Sequence, residues 1–122
     1  MKKIFFIGIF ALCIFVLKAQ PGRQRMTVEE RAKKITEWMT KELNLTEDQI
    51  QPIDSINLLF TKAQQILFQS AEGDRDKIRE AMGALEKEKE GALEKVLTED
   101  QLDTYKEKTR EMEQNRKRNR NR

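Results

Sequence analysis

The 122-residue sequence predicts an all-α protein built from two helix–turn–helix units. Three observations carry that reading. Apolar residues recur at spacings of three and four through four successive stretches, the period of an amphipathic helix. The pentapeptide Leu45-Thr46-Glu47-Asp48-Gln49 recurs unchanged as Leu97-Thr98-Glu99-Asp100-Gln101, 52 positions on, and each copy stands between two of those stretches. No segment shows the alternation of a half-buried strand.

Each pentapeptide has the chemistry of a helix start. A threonine N-cap accepts a hydrogen bond from the backbone N–H three residues on, and a glutamine at that third position reaches back to the cap's own N–H. Thr46 with Gln49, and Thr98 with Gln101, fit this box. Leu45 with Ile50, and Leu97 with Leu102, are spaced as hydrophobic staples. Glu47, Asp48, Glu99 and Asp100 place negative charge where the helix dipole favours it.

The elements follow in order. Thr27-Val28-Glu29-Glu30 forms a third capping box and predicts a first helix from Val28 to Leu43, with Val28, Ala32, Ile35, Met39 and Leu43 as its apolar stripe and Trp38 widening it. Asn44 suits the left-handed residue that ends it. A second helix is predicted after Thr46 to about Ala71. Its stripe is Ile50, Ile53, Ile56, Phe60, Ala63, Ile66 and Leu67, broadened by Leu58, Leu59 and Phe68. Pro52 removes one hydrogen bond from its second turn and is expected to bend it. Gly73 breaks the chain. A third helix, from Asp74 or Arg75 to Val96, carries smaller residues on its apolar face and two helix-weakening glycines, Gly83 and Gly91. A fourth, after Thr98, has only Leu102, Tyr105 and Met112 to bury. Residues 27–113 are therefore read as the helical domain, and 114–122 as a basic disordered tail.

The N-terminus reads as a cleavable export signal over residues 1–19. Lys2 and Lys3 precede an apolar run of 14 residues, Ile4 to Leu17, shorter than the roughly 20 a spanning helix needs. A disordered linker, residues 20–26, follows. The formal charge of +3 belongs to that signal: without Lys2, Lys3 and Lys18 the chain has 21 basic and 21 acidic residues. Arg116, Lys117, Arg118, Arg120 and Arg122 concentrate five positive charges at the C-terminus and leave the rest net −5. The tail suits contact with anionic lipid or nucleic acid. It has no interleaved aromatics for base stacking, so a solvated tail is the expectation and nucleic acid is not an expected partner.

Composition excludes much chemistry. The single cysteine, Cys13, lies in the export signal, and there is no histidine. Thiol catalysis, disulfides and the commonest general base and metal ligand are absent together from the exported chain. Acidic residues fall on solvent faces and first turns, where a catalytic carboxylate pair would need burial. Asp74 and Asp76 are better read as a helix start than as a cation site. No phosphate loop or nucleophile elbow occurs. No catalytic, cofactor-binding or metal-binding residue is expected, nor an enzyme. The surplus of large apolar residues on the second helix instead asks for a partner, and a second copy of the chain is the expected one.

The paired Leu-Thr-x-x-Gln, here Leu45, Thr46 and Gln49 with Leu97, Thr98 and Gln101, resembles the hallmark of the Spy/CpxP family of periplasmic proteins. The likeness extends over about Thr27 to Met112 and includes the export signal. It implies a four-helix cradle formed as an antiparallel homodimer of helical hairpins, located in the periplasm. It also implies an ATP-independent chaperone that binds unfolded or aggregation-prone proteins. The alternative within the family is an envelope-stress regulator that binds the periplasmic domain of a sensor kinase. On this reading the threonines and glutamines are structural caps. Client contact is expected at Ile35, Met39, Phe60 and Phe68 with Lys34 and Lys62.

Overall fold

The computed structural model describes residues 25–122, which form four helices and, among these residues, no strand: α1 Val28–Leu43, α2 Glu47–Ser70, α3 Arg75–Glu94 and α4 Glu99–Arg120. The all-α expectation is met. The segment expected to be an export signal, residues 1–19, and residues 20–24 of the expected linker lie outside the described part; Arg25 and Met26 precede α1 without regular structure.

Three of the four starts use the side chain of the N-cap residue; at α2 the Thr46 hydroxyl accepts no such bond and the Gln49 side chain alone closes the turn. Thr27 accepts from the Glu30 N–H at 3.1 Å while Glu30 accepts from the Thr27 N–H at 2.9 Å. Thr98 and Gln101 repeat that box at 3.2 and 3.0 Å. At α2 the Thr46 N–H donates to Gln49 Oε1 at 3.0 Å, and the Gln49 N–H reaches the Thr46 carbonyl at 3.0 Å. Asp74 opens α3 by accepting from the N–H groups of Asp76 and Lys77. The ends are equally local in origin. Asn44 adopts the left-handed conformation, φ 51°, and the Leu45 N–H closes back onto the Thr40 carbonyl, the geometry of a Schellman end. Glu72 and Gly73, at φ 48° and 83°, turn the chain from α2 into α3. α2 runs unbroken across Pro52, which is exposed.

α1 and α2 form one antiparallel hairpin and α2 and α3 the next, so α2 is packed on two sides. α4 touches α1 and α3 with its first half, as far as Lys108, whose ammonium is 3.4 Å from Glu42 of α1. The core sits where the turns 44–46 and 95–98 come together. It comprises Met39, Leu43, Leu45, Ile53, Leu93, Leu97 and Tyr105, with Ile35, Trp38, Ile50, Ile56, Val96 and Leu102 half-buried around it. Both staples are therefore part of the core. Leu93 is the only buried residue of α3, as the small residues of that helix foretold.

Two expectations need correction. Residues 114–122 are not a disordered tail, because α4 continues to Arg120. The stretch consists largely of good helix formers. An i,i+4 pair, Glu113 with Lys117 at 3.0 Å, supports it, and Lys117, Arg118 and Arg120 meet the negative end of the dipole. Every residue from Glu111 onward is nevertheless exposed, so the second half of α4 is an arm without packing. In addition, Met39 and Phe60 are buried within the chain, Met39 completely. They belong to the core rather than to a client surface.

Tyr105 is where α4 is fastened. Its ring meets Trp38 of α1 edge-on, centroids 6.4 Å apart at 62°, and lies under the Lys89 ammonium of α3 at 5.8 Å, within cation–π range. Burial raises the Tyr105 phenol well above its ordinary value, and Glu86 and Glu90 reinforce this. Burial lowers Lys89, against an opposing effect of Glu86. Folded protein thus holds the Tyr105 proton to higher pH than unfolded chain, and stability falls as pH rises above the unfolded phenol value of about 10. The lowered Lys89 works in the opposite sense, adding stability as pH approaches the ordinary lysine value. Tyr105→Phe isolates the phenol: in thermal unfolding the variant should stay within about 1 kcal/mol of the parent near neutral pH and should gain on it steadily above pH 10.

Candidate functional site

The two glutamines do more than cap. Gln49 Nε2 donates to Gln101 Oε1 at 2.8 Å, and Gln101 Nε2 donates to Gln49 Oε1 at 3.1 Å, closing a reciprocal amide pair across the two turns. Each Nε2 uses its second hydrogen on a backbone carbonyl of the opposite unit, Gln49 on Val96 and Gln101 on Leu43, both at 3.1 Å. Each Oε1 also accepts from its own cap threonine N–H at 3.0 Å. Two donors and two acceptor sites per amide are all used, which is the full capacity of a primary amide. The pair gathers four helix ends: the starts of α2 and α4, and otherwise unpaired carbonyls at the ends of α1 and after α3.

Sequence reasoning gave these residues a capping role and missed the pairing. The signal was present. The box at α1 uses Glu30, which caps as well as glutamine but has no hydrogen to donate, and it makes no cross-unit bond. Glutamine at both 49 and 101 is needed only where the side chain must also donate.

A second polar group ties α1 to α2. Thr36 Oγ1 lies 3.1 Å from the Ala32 carbonyl and 2.9 Å from Asp54 Oδ1, and accepts from Asn57 Nδ2 at 3.0 Å. Asn57 is fully buried, and its Oδ1 has no hydrogen-bond partner among the described residues. This network was not foreseen either: Thr36 and Asn57 interrupt otherwise apolar faces, and nothing in their spacing marks them as partners. Beside it runs an open groove of about 560 Å³, floored by Ala32, Ile50 and Leu58 and edged by Lys33, Glu37 and Asp54.

The remaining expected contact residues are scattered. Lys34 and Lys62 are exposed, Ile35 is half-buried against the core, and Phe68 is 51% exposed. Leu59 and Ile66, read as ordinary stripe residues, are 64% exposed each. They stand two turns apart on one face of α2 with Lys62 between them, whereas Phe68 lies on the opposite side near the α2–α3 turn. Among the described residues there is no group of three acidic, histidine or cysteine side chains placed to hold a metal ion, and no helix is long and apolar enough to cross a membrane.

Replacing Gln49 or Gln101 by glutamate tests the pairing. The cap survives, as at Glu30, but the donor is lost and a carboxylate faces the partner's carbonyl oxygen. We expect roughly 1–3 kcal/mol of destabilisation at neutral pH. The introduced carboxyl is favoured in its protonated form by the fold, so the deficit should shrink as pH falls through the carboxyl range in chemical unfolding of Gln49→Glu. Glu30→Gln should be nearly neutral.

Comparison with known proteins follows the same boundary as the packing. No curated protein and no solved structure matches this chain. A family model does, over residues 18–105, a span that takes in both pentapeptides and stops at Tyr105, the last buried residue of α4. The chain belongs to that family, the domain of unknown function DUF4890.

Proposed function

We propose that this protein is an ATP-independent chaperone of the Spy/CpxP type. In this reading it is exported to the periplasm with loss of residues 1–19, acts as a homodimer, and binds unfolded or aggregation-prone proteins. The observation that carries the proposal is the solvent face of α2. From Gln49 to Ala71 the helix has only two charged residues, Asp54 and Lys62, in a protein whose residues are 37% charged. On that face Leu59 and Ile66 stand open to water around Lys62.

The chemistry suits weak, reversible capture. A release step without nucleotide requires that no deep apolar cleft retain the client. Two exposed aliphatic side chains supply modest affinity, and Lys62, with Lys34 on α1, supplies charge that accelerates encounter. Ile35, half-buried against the core, and Phe68, on the opposite side of α2, lie off this face. The thin core fits the same purpose, since a small helical body leaves much of its apolar surface near solvent. The second copy of the chain expected in the dimer would cover part of this surface.

The test is light scattering from a denatured model protein diluted into buffer with this protein and no nucleotide. Suppression is expected with the parent. It should be largely lost in Leu59→Ser/Ile66→Ser, whose fold should be intact because both side chains are exposed. Unchanged scattering at several-fold molar excess of the parent would refute the proposal. Sedimentation should give twice the chain mass; a monomer would remove the dimer from it.

A further inference from the structure

We infer that the C-terminal arm of α4 is an electrostatic docking device for anionic phospholipid surfaces, separate from the face of α2. Residues 111–122 are exposed throughout, and helix continues to Arg120 without packing to hold it. No tertiary contact accounts for this part of the helix, which continues from the packed turns of α4 and carries one i,i+4 pair, Glu113 with Lys117. Within the arm, Arg116 and Arg120 are like charges at i,i+4, which oppose the helix. A counter-charged surface relieves that repulsion.

The charge distribution selects the partner. Residues 25–115 contain 15 basic and 21 acidic residues, a net −6, whereas residues 116–122 carry five basic residues and no acidic one. The body is therefore repelled by the surface that attracts the arm. Arg116 lies two turns, about 10 Å, beyond Thr109, the last half-buried residue. That exceeds the screening length of about 8 Å at physiological salt, so residues 116–122 can meet an anionic plane while the packed body remains screened from it; Glu111 and Glu113 lie between the two, Glu113 already paired with Lys117 at 3.0 Å. A long flexible polyanion such as nucleic acid would fold back against the acidic body, and the arm has no aromatic side chain on which a base could stack.

Four of the five cations are arginines, whose planar fork matches a phosphate in two parallel hydrogen bonds. Met112 is the arm's only large apolar residue and is exposed. Binding by the arm is thus superficial, through headgroup phosphates, with no insertion into the hydrocarbon.

Vesicle co-sedimentation with the full chain tests this, using phosphatidylcholine vesicles with and without phosphatidylglycerol. The comparison protein carries R116Q, K117Q, R118Q, R120Q and R122Q; it shares the N-terminal apolar run, so that segment's contribution cancels. A second variant with lysine at the four arginines keeps the charge. We expect the parent to prefer phosphatidylglycerol vesicles at least tenfold at physiological salt, since each basic residue contributes roughly fivefold. The preference should vanish in the glutamine variant and at about 1 M salt, and it should persist, weakened, in the lysine variant. Equal partition into neutral and anionic vesicles, an unchanged glutamine variant, or tighter binding to duplex DNA than to the vesicles would each overturn the inference.

Discussion

The reciprocal amide pair between Gln49 and Gln101 is the interaction on which the rest of this structure depends. α4 has few contacts with the bundle, and α3 buries a single side chain. Leu93, Leu97 and Tyr105 supply the second unit's buried apolar contacts with the first, and so few side chains leave the orientation of the two units to be fixed by directional bonds. The paired amides set that relation by direction rather than by area. Their partners are backbone groups whose positions follow from the helix ends themselves, so the register of the two turns leaves little freedom. A hydrogen bond contributes only about 1 kcal/mol net, but leaving a half-buried amide or carbonyl unmatched costs more. A closed network makes every alternative arrangement of the two units pay that cost.

The helices were legible because their causes are local. Thr27, Thr46, Asp74 and Thr98 mark the starts, and Asn44 and Gly73 mark breaks, each by its own conformational chemistry. The resemblance carried by the pentapeptides implies a dimeric cradle and says nothing of the bond between the two glutamines. What was not legible is tertiary. Met39 and Phe60 look on paper like any other member of a broad apolar stripe; only the placement of α1 against α2 decides that they are inside while Leu59 and Ile66 are outside. The Thr36–Asn57 bond joins residues 21 apart whose pairing depends on helix rotation. The helical arm defeated composition-based reasoning for a different reason. Charge density argued for disorder, whereas strong helix formers and a favourable dipole at its end argue for helix, and the second set prevails.

The molecule divides its tasks along its length. At one end, the junction concentrates nearly all the core and fastens four helix ends. Away from it, the α2–α3 hairpin extends toward the Glu72–Gly73 turn with apolar side chains open to water, and α4 carries its charge outward. Both regions are attached to the junction by continuous helix, so what they bind can be held at a distance from the part that must remain folded. On the proposed reading, a surface for unfolded chains placed there leaves the core undisturbed when occupied.

A double-mutant cycle on Gln49→Ala and Gln101→Ala, read by chemical denaturation, tests the central claim most directly. If the amides join the two units, the single substitutions are strongly non-additive, with a coupling energy of about 1–3 kcal/mol. Additive losses, within about 0.5 kcal/mol, would mean that each glutamine merely caps its own helix and that something else holds the units together.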